Sequence, residues 1–213
     1  VSVSARTTTH TPALLRHRSW QQAAAWLRTQ QQPDGGFGYA GLTAAMAYDI
    51  ALAGENPAGP AWTVNGHSLL AALEAATPAY VDGHDAGQIA RVLLAVAQAG
   101  ADTHHFAGRD LVALLEATYQ PATGLYDRYN NFRNALAMKA LVTAGRPLPA
   151  EAVAGLLAQQ QANGGWGWQV GGSGADVDST GLIMEAVAGA GVPAEHPALQ
   201  KAIAFLRREQ KAD

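Results

Sequence analysis

Apolar residues in this chain gather into stretches with helical spacing, separated by connections rich in glycine and proline. No stretch shows sustained alternation with a period of two, so the pattern predicts an all-α protein. Four segments, at about 19–31, 66–76, 110–119 and 151–161, read as the first helices of hairpins. Four more, at about 42–53, 86–99, 132–144 and 179–190, read as second helices, and 198–210 opens a fifth pair.

The hairpins repeat. Ala-Gly recurs at Ala53-Gly54, Ala99-Gly100, Ala144-Gly145 and Ala190-Gly191, with spacings of 46, 45 and 46 residues. Pro57, Pro147 and Pro193 follow three of these pairs. Glycine just past a helix, then proline, is a stop signal, because glycine takes a left-handed backbone and proline cannot continue the ladder. A second landmark has a similar period. Residues 27–39 read LRTQQQPDGGFGY and residues 156–168 read LLAQQQANGGWGW, 129 residues or three periods of 43 apart. The chain therefore divides into a polar tail (1–12) and one repeat domain (13–213). Its hairpins fall at about 18–58, 59–104, 105–148 and 149–194, with a partial copy at 195–213. One hairpin cannot bury its own apolar face, so neighbouring copies have to stack.

Aligning the second helices on their stop alanines separates uniform from variable columns. Nine residues before the stop stand Ala44, Ala90, Ala135 and Gly181; four before stand Asp49, Ala95, Ala140 and Ala186. Small side chains there allow helix backbones to approach. Ile50, Val96, Leu141 and Val187, three before the stop, form a core column. Positions twelve, eight and five before the stop share one helical face and vary between copies. They supply Gly41, Gly87, Phe132 and Asp178; Ala45, Arg91, Leu136 and Leu182; Tyr48, Leu94, Lys139 and Glu185. A face free to vary lines a lumen, and Tyr48, Arg91, Lys139, Asp178 and Glu185 are its candidate ligand contacts.

Composition narrows the chemistry. Fourteen basic and 17 acidic residues give a net charge of −3, which argues against an extended nucleic-acid surface. The absence of cysteine excludes disulfides, thiolate metal sites and a cysteine nucleophile. No apolar run approaches the roughly 20 residues of a membrane span. His84, His104 and His105 lie at opposite ends of a helix, too far apart for one metal, and no cofactor or metal site is expected. The Gly-rich connections lack the GxxxxGK[ST] pattern of a phosphate loop. Gln30, Gly35, Gly36 and Phe37, with Gln159, Gly164, Gly165 and Trp166, read as structural cement between copies. Around Asp176-Val177-Asp178-Ser179-Thr180 the bland expectation is that Asp178 or Ser179 caps a helix. Calcium held by the two carboxylates and Asn163 is a further reading of the same segment.

Gln-x-x-Asp-Gly-Gly-aromatic after one helix, followed by Asp-x-Asp-Ser-Thr opening the next, resembles the prenyltransferase and squalene-cyclase repeat. The resemblance runs from about Trp20 to Asp213 and is strongest over 159–180. It implies an α/α toroid of about 45-residue hairpins, here four complete copies and part of a fifth. A closed ring of six would need roughly 270 residues, so the chain reads as a fragment, an open ring, or a ring completed by another chain or by further domains of its parent. In class II cyclases of this kind a D-x-D-D stretch protonates an alkene. By resemblance Asp178 would be the general acid beside Asp176, although Ser179 replaces the last Asp. The expected function is a non-catalytic module that binds a small hydrophobic or cofactor-like molecule or acts as a scaffold. The resemblance to secreted bacterial members and to transcobalamin-like domains implies an extracellular or cell-surface place. The alternatives are a cyclase fragment and a self-associating surface protein.

Overall fold

The structure, a computed structural model, describes residues 12–211. Residues 1–11 of the expected polar tail and the last two residues of the partial fifth copy lie outside the described residues, and Pro12 already opens a helix. The elements in chain order are α1 (Pro12–Gln30), α2 (Ala40–Leu52), β1 (Thr63–Val64), β2 (His67–Ser68), α3 (Leu69–Val81), α4 (Ala86–Gln98), α5 (Leu111–Glu116), α6 (Asn131–Thr143), α7 (Ala150–Leu157), α8 (Val177–Gly189) and α9 (Pro197–Glu209). The protein is all-α apart from one two-stranded ribbon among the described residues.

The second helices α2, α4, α6 and α8 are each 13 residues long, and each ends in the same way. The stop glycines Gly54, Gly100, Gly145 and Gly191 all have positive φ. The amide beyond each glycine reaches back five residues: Glu55 to Ile50, Ala101 to Val96, Arg146 to Leu141 and Val192 to Val187, at 2.9–3.1 Å. Each glycine N–H also bonds three residues back, as Gly54 does to Ala51. This is the Schellman arrangement, which satisfies carbonyls that a helix end leaves free. At the other ends, Asp85, Asn130 and Asp176 accept backbone N–H bonds from Gln88, Arg133 and Ser179. The cap of α8 is thus Asp176, not Asp178 or Ser179. Asp178 comes too late, already inside the first turn, and Ser179 is the residue whose amide is capped.

The second helices lie side by side in chain order, each in contact with the next. The alignment columns explain why. Relative to the variable face, a residue three before the stop lies on the far side of the helix, about 180° away at 100° per residue, while residues four and nine before it occupy opposite flanks. Ile50, Val96, Leu141 and Val187 are accordingly buried. Ala44, Ala90, Ala135, Ala95, Ala140 and Ala186 are buried where neighbouring helices meet. The two misfits in the flank columns are exposed, and they fall at the two ends of the described row. Asp49 is on α2, the first helix of the row, and Gly181 is on α8, the last. Each stands on a flank with no second helix against it among the described residues. α3 packs on both α2 and α4, α5 on α4, α7 on α6 and α8, and α9 on α8.

The first helices depart from expectation. α3 begins at Leu69 rather than near residue 66, because Asn65 and Gly66, with φ of 52° and 83°, form a two-residue hairpin turn between β1 and β2. Ser68 then caps α3, which runs through Pro78 to Val81. α5 and α7 stop early, at Glu116 and Leu157. In the second case Gln160 and Gln161 leave the helix to build the Gly-Gly turn, where the Gln161 N–H bonds to the Gly165 carbonyl and the Gly164 N–H to the Gln161 carbonyl.

Candidate functional site

The variable face of the helix row forms a groove with a wide polar mouth and a narrow apolar floor. The mouth, about 620 Å³, lies at the N-terminal ends of α4, α6 and α8. Its lining includes Arg91, Phe132, Asp178 and Trp168, together with Tyr80 of α3. The floor, about 130 Å³, lies between Ala45, Tyr48, Leu94, Leu136, Lys139 and Leu182. Arg91, Phe132 and Leu136 border both spaces, so the mouth and the floor adjoin along these side chains.

Three of the five expected contacts form one cluster at the floor. The Lys139 ammonium pairs with the Glu185 carboxylate at 2.7 Å and sits 4.7 Å from the centre of the Tyr48 ring. These residues occupy the same column on α6, α8 and α2, so Lys139 reaches Tyr48 across α4. Burial alone would lower the Lys139 pKa, but hydrogen bonds with Glu185 and Tyr48 outweigh it and hold the ammonium above the usual lysine value. Nearby Asp49 is pushed up, by desolvation first and against the opposing pull of Lys139.

The other two contacts stand apart. Arg91 lies at the junction of mouth and floor, and it has no carboxylate partner among the described residues. Asp178 lies at the mouth, exposed and without a hydrogen bond among the described residues. Asp176 is committed to the backbone, accepting from Ser179 N–H at 2.6 Å and Trp168 N–H at 3.2 Å. Asn163 is also engaged: its side chain accepts from Gly165 N–H, and its carbonyl accepts from Arg208. Among the described residues no group of three or more His, Asp or Glu side chains is placed to hold a metal ion. His104 and His105 pair instead with Asp110 and Asp102. No described helix is long and apolar enough to cross a membrane.

The cement residues sit in the turns, with one shift of register. The bridging glutamines are Gln31 and Gln160, not Gln30 and Gln159. The Gln31 amide donates to Gly35 and Trp62 carbonyls, and that of Gln160 to Gly164 and Ala198 carbonyls. Each ties its own turn to the start of the following copy. Gln30 bonds only the neighbouring Thr29 hydroxyl, while Gln159 accepts from Gly171 N–H. The Gly36 N–H donates a turn bond to the Asp34 carboxylate, as the Gly165 N–H does to the Asn163 side-chain oxygen. Gly164, at φ 91°, backs onto the next copy so closely that a Cβ would lie 2.6 Å from the Lys201 carbonyl. The amides of Phe37 and Trp166 donate to the hydroxyls of Thr43 and Thr180 in the following helix.

Four groove residues carry no signal in the columns compared above. Arg133 crosses from α6 to Asp85 at 2.6 Å and also meets Asp127 at 3.2 Å. Tyr80 belongs to a first helix, and Gln88 and Trp168 lie off the variable columns. A Cβ on Gly87 would fall 2.7 Å from Arg133 Cγ, and one on Gly41 2.6 Å from Tyr80 Oη. The glycines of the variable face are therefore the places where a side chain from another element lies over the helix. For Trp168 a signal did exist: Phe-Gly-Tyr and Trp-Gly-Trp pair a buried aromatic with an exposed one two residues later. No family model matches this sequence, and no curated protein matches it.

Proposed function

We propose that the chain is a non-catalytic repeat module of the squalene-cyclase-like toroid type that binds a small molecule in its groove. The observation that carries this reading is that the columns differing between copies are the ones lining the groove, while the columns of small and apolar residues are buried. Packing fixes the second group throughout, whereas much of the first, Tyr48, Arg91, Lys139 and Asp178 among it, is free to be set by a ligand. The reach of Lys139 over α4 to Tyr48 supports a row bent toward the groove, as in a toroid. The mouth is within the 300–1,000 Å³ typical of ligand sites.

Leu94→Trp fills the floor without touching the caps or turns. In a ligand-observed NMR fragment screen, the wild-type chain is expected to give hits that this variant loses while its circular dichroism is unchanged. Hits that all survive the substitution overturn the reading. Incubation with squalene or geranylgeranyl diphosphate is expected to give no cyclised product. Product abolished by Asp178→Asn would establish a cyclase instead, but Asp178 is exposed at the mouth rather than enclosed in an apolar cavity.

A further inference from the structure

We infer that the groove takes a small organic monocarboxylate, its carboxylate on Arg91 and a ring-sized apolar part in the floor. The inference rests on the groove being a ligand site and adds the class of ligand.

The charges in the groove are almost all spoken for. Asp85 is neutralised by Arg133, Lys139 is paired with Glu185, and Asp176 caps α8. Arg91 and Asp178 at the mouth, and Asp49 at the edge of the floor, remain without ion-pair partners among the described residues. Arg91 borders both mouth and floor, so a group bound to it can send an apolar substituent downward and a polar one outward. A guanidinium presents a planar fork that a carboxylate fills with two parallel hydrogen bonds. Below it, Leu94, Leu136 and Leu182 enclose a space the size of one ring or a short branched chain. Beside it, Phe132 offers an aromatic face to both levels.

The same inventory limits the ligand's charge. Once the internal pairs are discounted, Asp176 and Asp178 stand against Arg91 alone at the mouth. A phosphate dianion there would gain one cation and face two carboxylates. A monoanion gains the pair and meets less repulsion.

Isothermal titration calorimetry with 3-phenylpropionate, its neutral amide 3-phenylpropanamide and phenyl phosphate separates the terms. The carboxylate is expected to bind tightest, with the amide and the phosphate each about tenfold or more weaker. Arg91→Gln is expected to remove the preference for carboxylate over amide, and Arg91→Lys to restore part of it. Asp178→Asn should tighten the carboxylate a few-fold, and thermal melts of the variants check that they are folded. Equal binding of amide and carboxylate, unchanged by Arg91→Gln but lost in Leu94→Trp, overturns the inference and leaves the ligand-site reading standing. Failure of all three probes overturns the inference as well. The fragment screen then judges the ligand-site reading separately, since that reading falls only if no hit depends on the floor.

Discussion

Trp166 and Trp168 are two residues apart and belong to two different kinds of surface. Trp166 is fully buried, its indole N–H donates to the Leu156 carbonyl, and its amide is held by Thr180. Trp168 is 58% exposed at the groove mouth. The first belongs to a seam of turns and caps in which nearly every polar atom has a partner. The second belongs to a face that leaves Arg91 and Asp178 unpaired. A seam that closes on itself has its identity set by the fold. A face that does not close leaves interactions to something outside the chain.

Truncation breaks this contrast most sharply. Trp166→Ala should cost about 3–5 kcal/mol in urea unfolding, because it empties a buried site and removes the indole bond to the Leu156 carbonyl. Trp168→Ala should change stability by no more than about 0.5 kcal/mol, because it removes an exposed side chain and leaves the backbone bond to Asp176 in place. Similar losses for the two would mean that the mouth is part of the core.

A smaller effect separates two aspartates in one helical turn. Asp176→Ala removes the cap of α8 and should cost about 1 kcal/mol. Asp178→Asn should leave unfolding unchanged within about 0.5 kcal/mol. If Asp178→Asn were the more damaging, the carboxylate at the mouth would be a structural part of α8 rather than a group free to meet a ligand.

What the sequence made legible follows from how local each signal is. The second helices end where the Ala-Gly pairs place them, because the Schellman turn is written in the glycine itself. The first helices were harder to place. Their ends are decided by the next copy, which draws Gln31 and Gln160 out of the helix to bridge turns. The Asn65-Gly66 hairpin was a short-range signal that the helical reading passed over. In the groove, Tyr48, Lys139 and Glu185 could be found from one column because parallel helices in register bring equal positions to one level. Arg133 and Tyr80 could not, since they arrive from other columns and lie over glycines whose smallness alone named no partner.

The smallest expected effect concerns the one place where the variable face does close on itself, the Lys139–Glu185 pair. The Lys139 ammonium is held more firmly in the folded chain than in the unfolded one, where its pKa is near 10.5. Its contribution is therefore complete below about pH 10.5 and disappears as the pH rises through the higher folded value. Burial also pushes up Tyr80 and Tyr126, the latter to about 12, so the wild-type chain loses stability over the same alkaline range for a second reason. Glu185→Gln leaves those tyrosines in place, and the difference between the two chains isolates the pair. Because the Glu185 side chain is 56% exposed, solvent screens the interaction, and the difference at neutral pH should stay below about 1 kcal/mol. It should shrink toward zero as the pH passes above 10.5 in urea melts. A difference that stayed constant across that range would mean that Glu185 acts through packing, and that the charge on Lys139 is not what closes the floor.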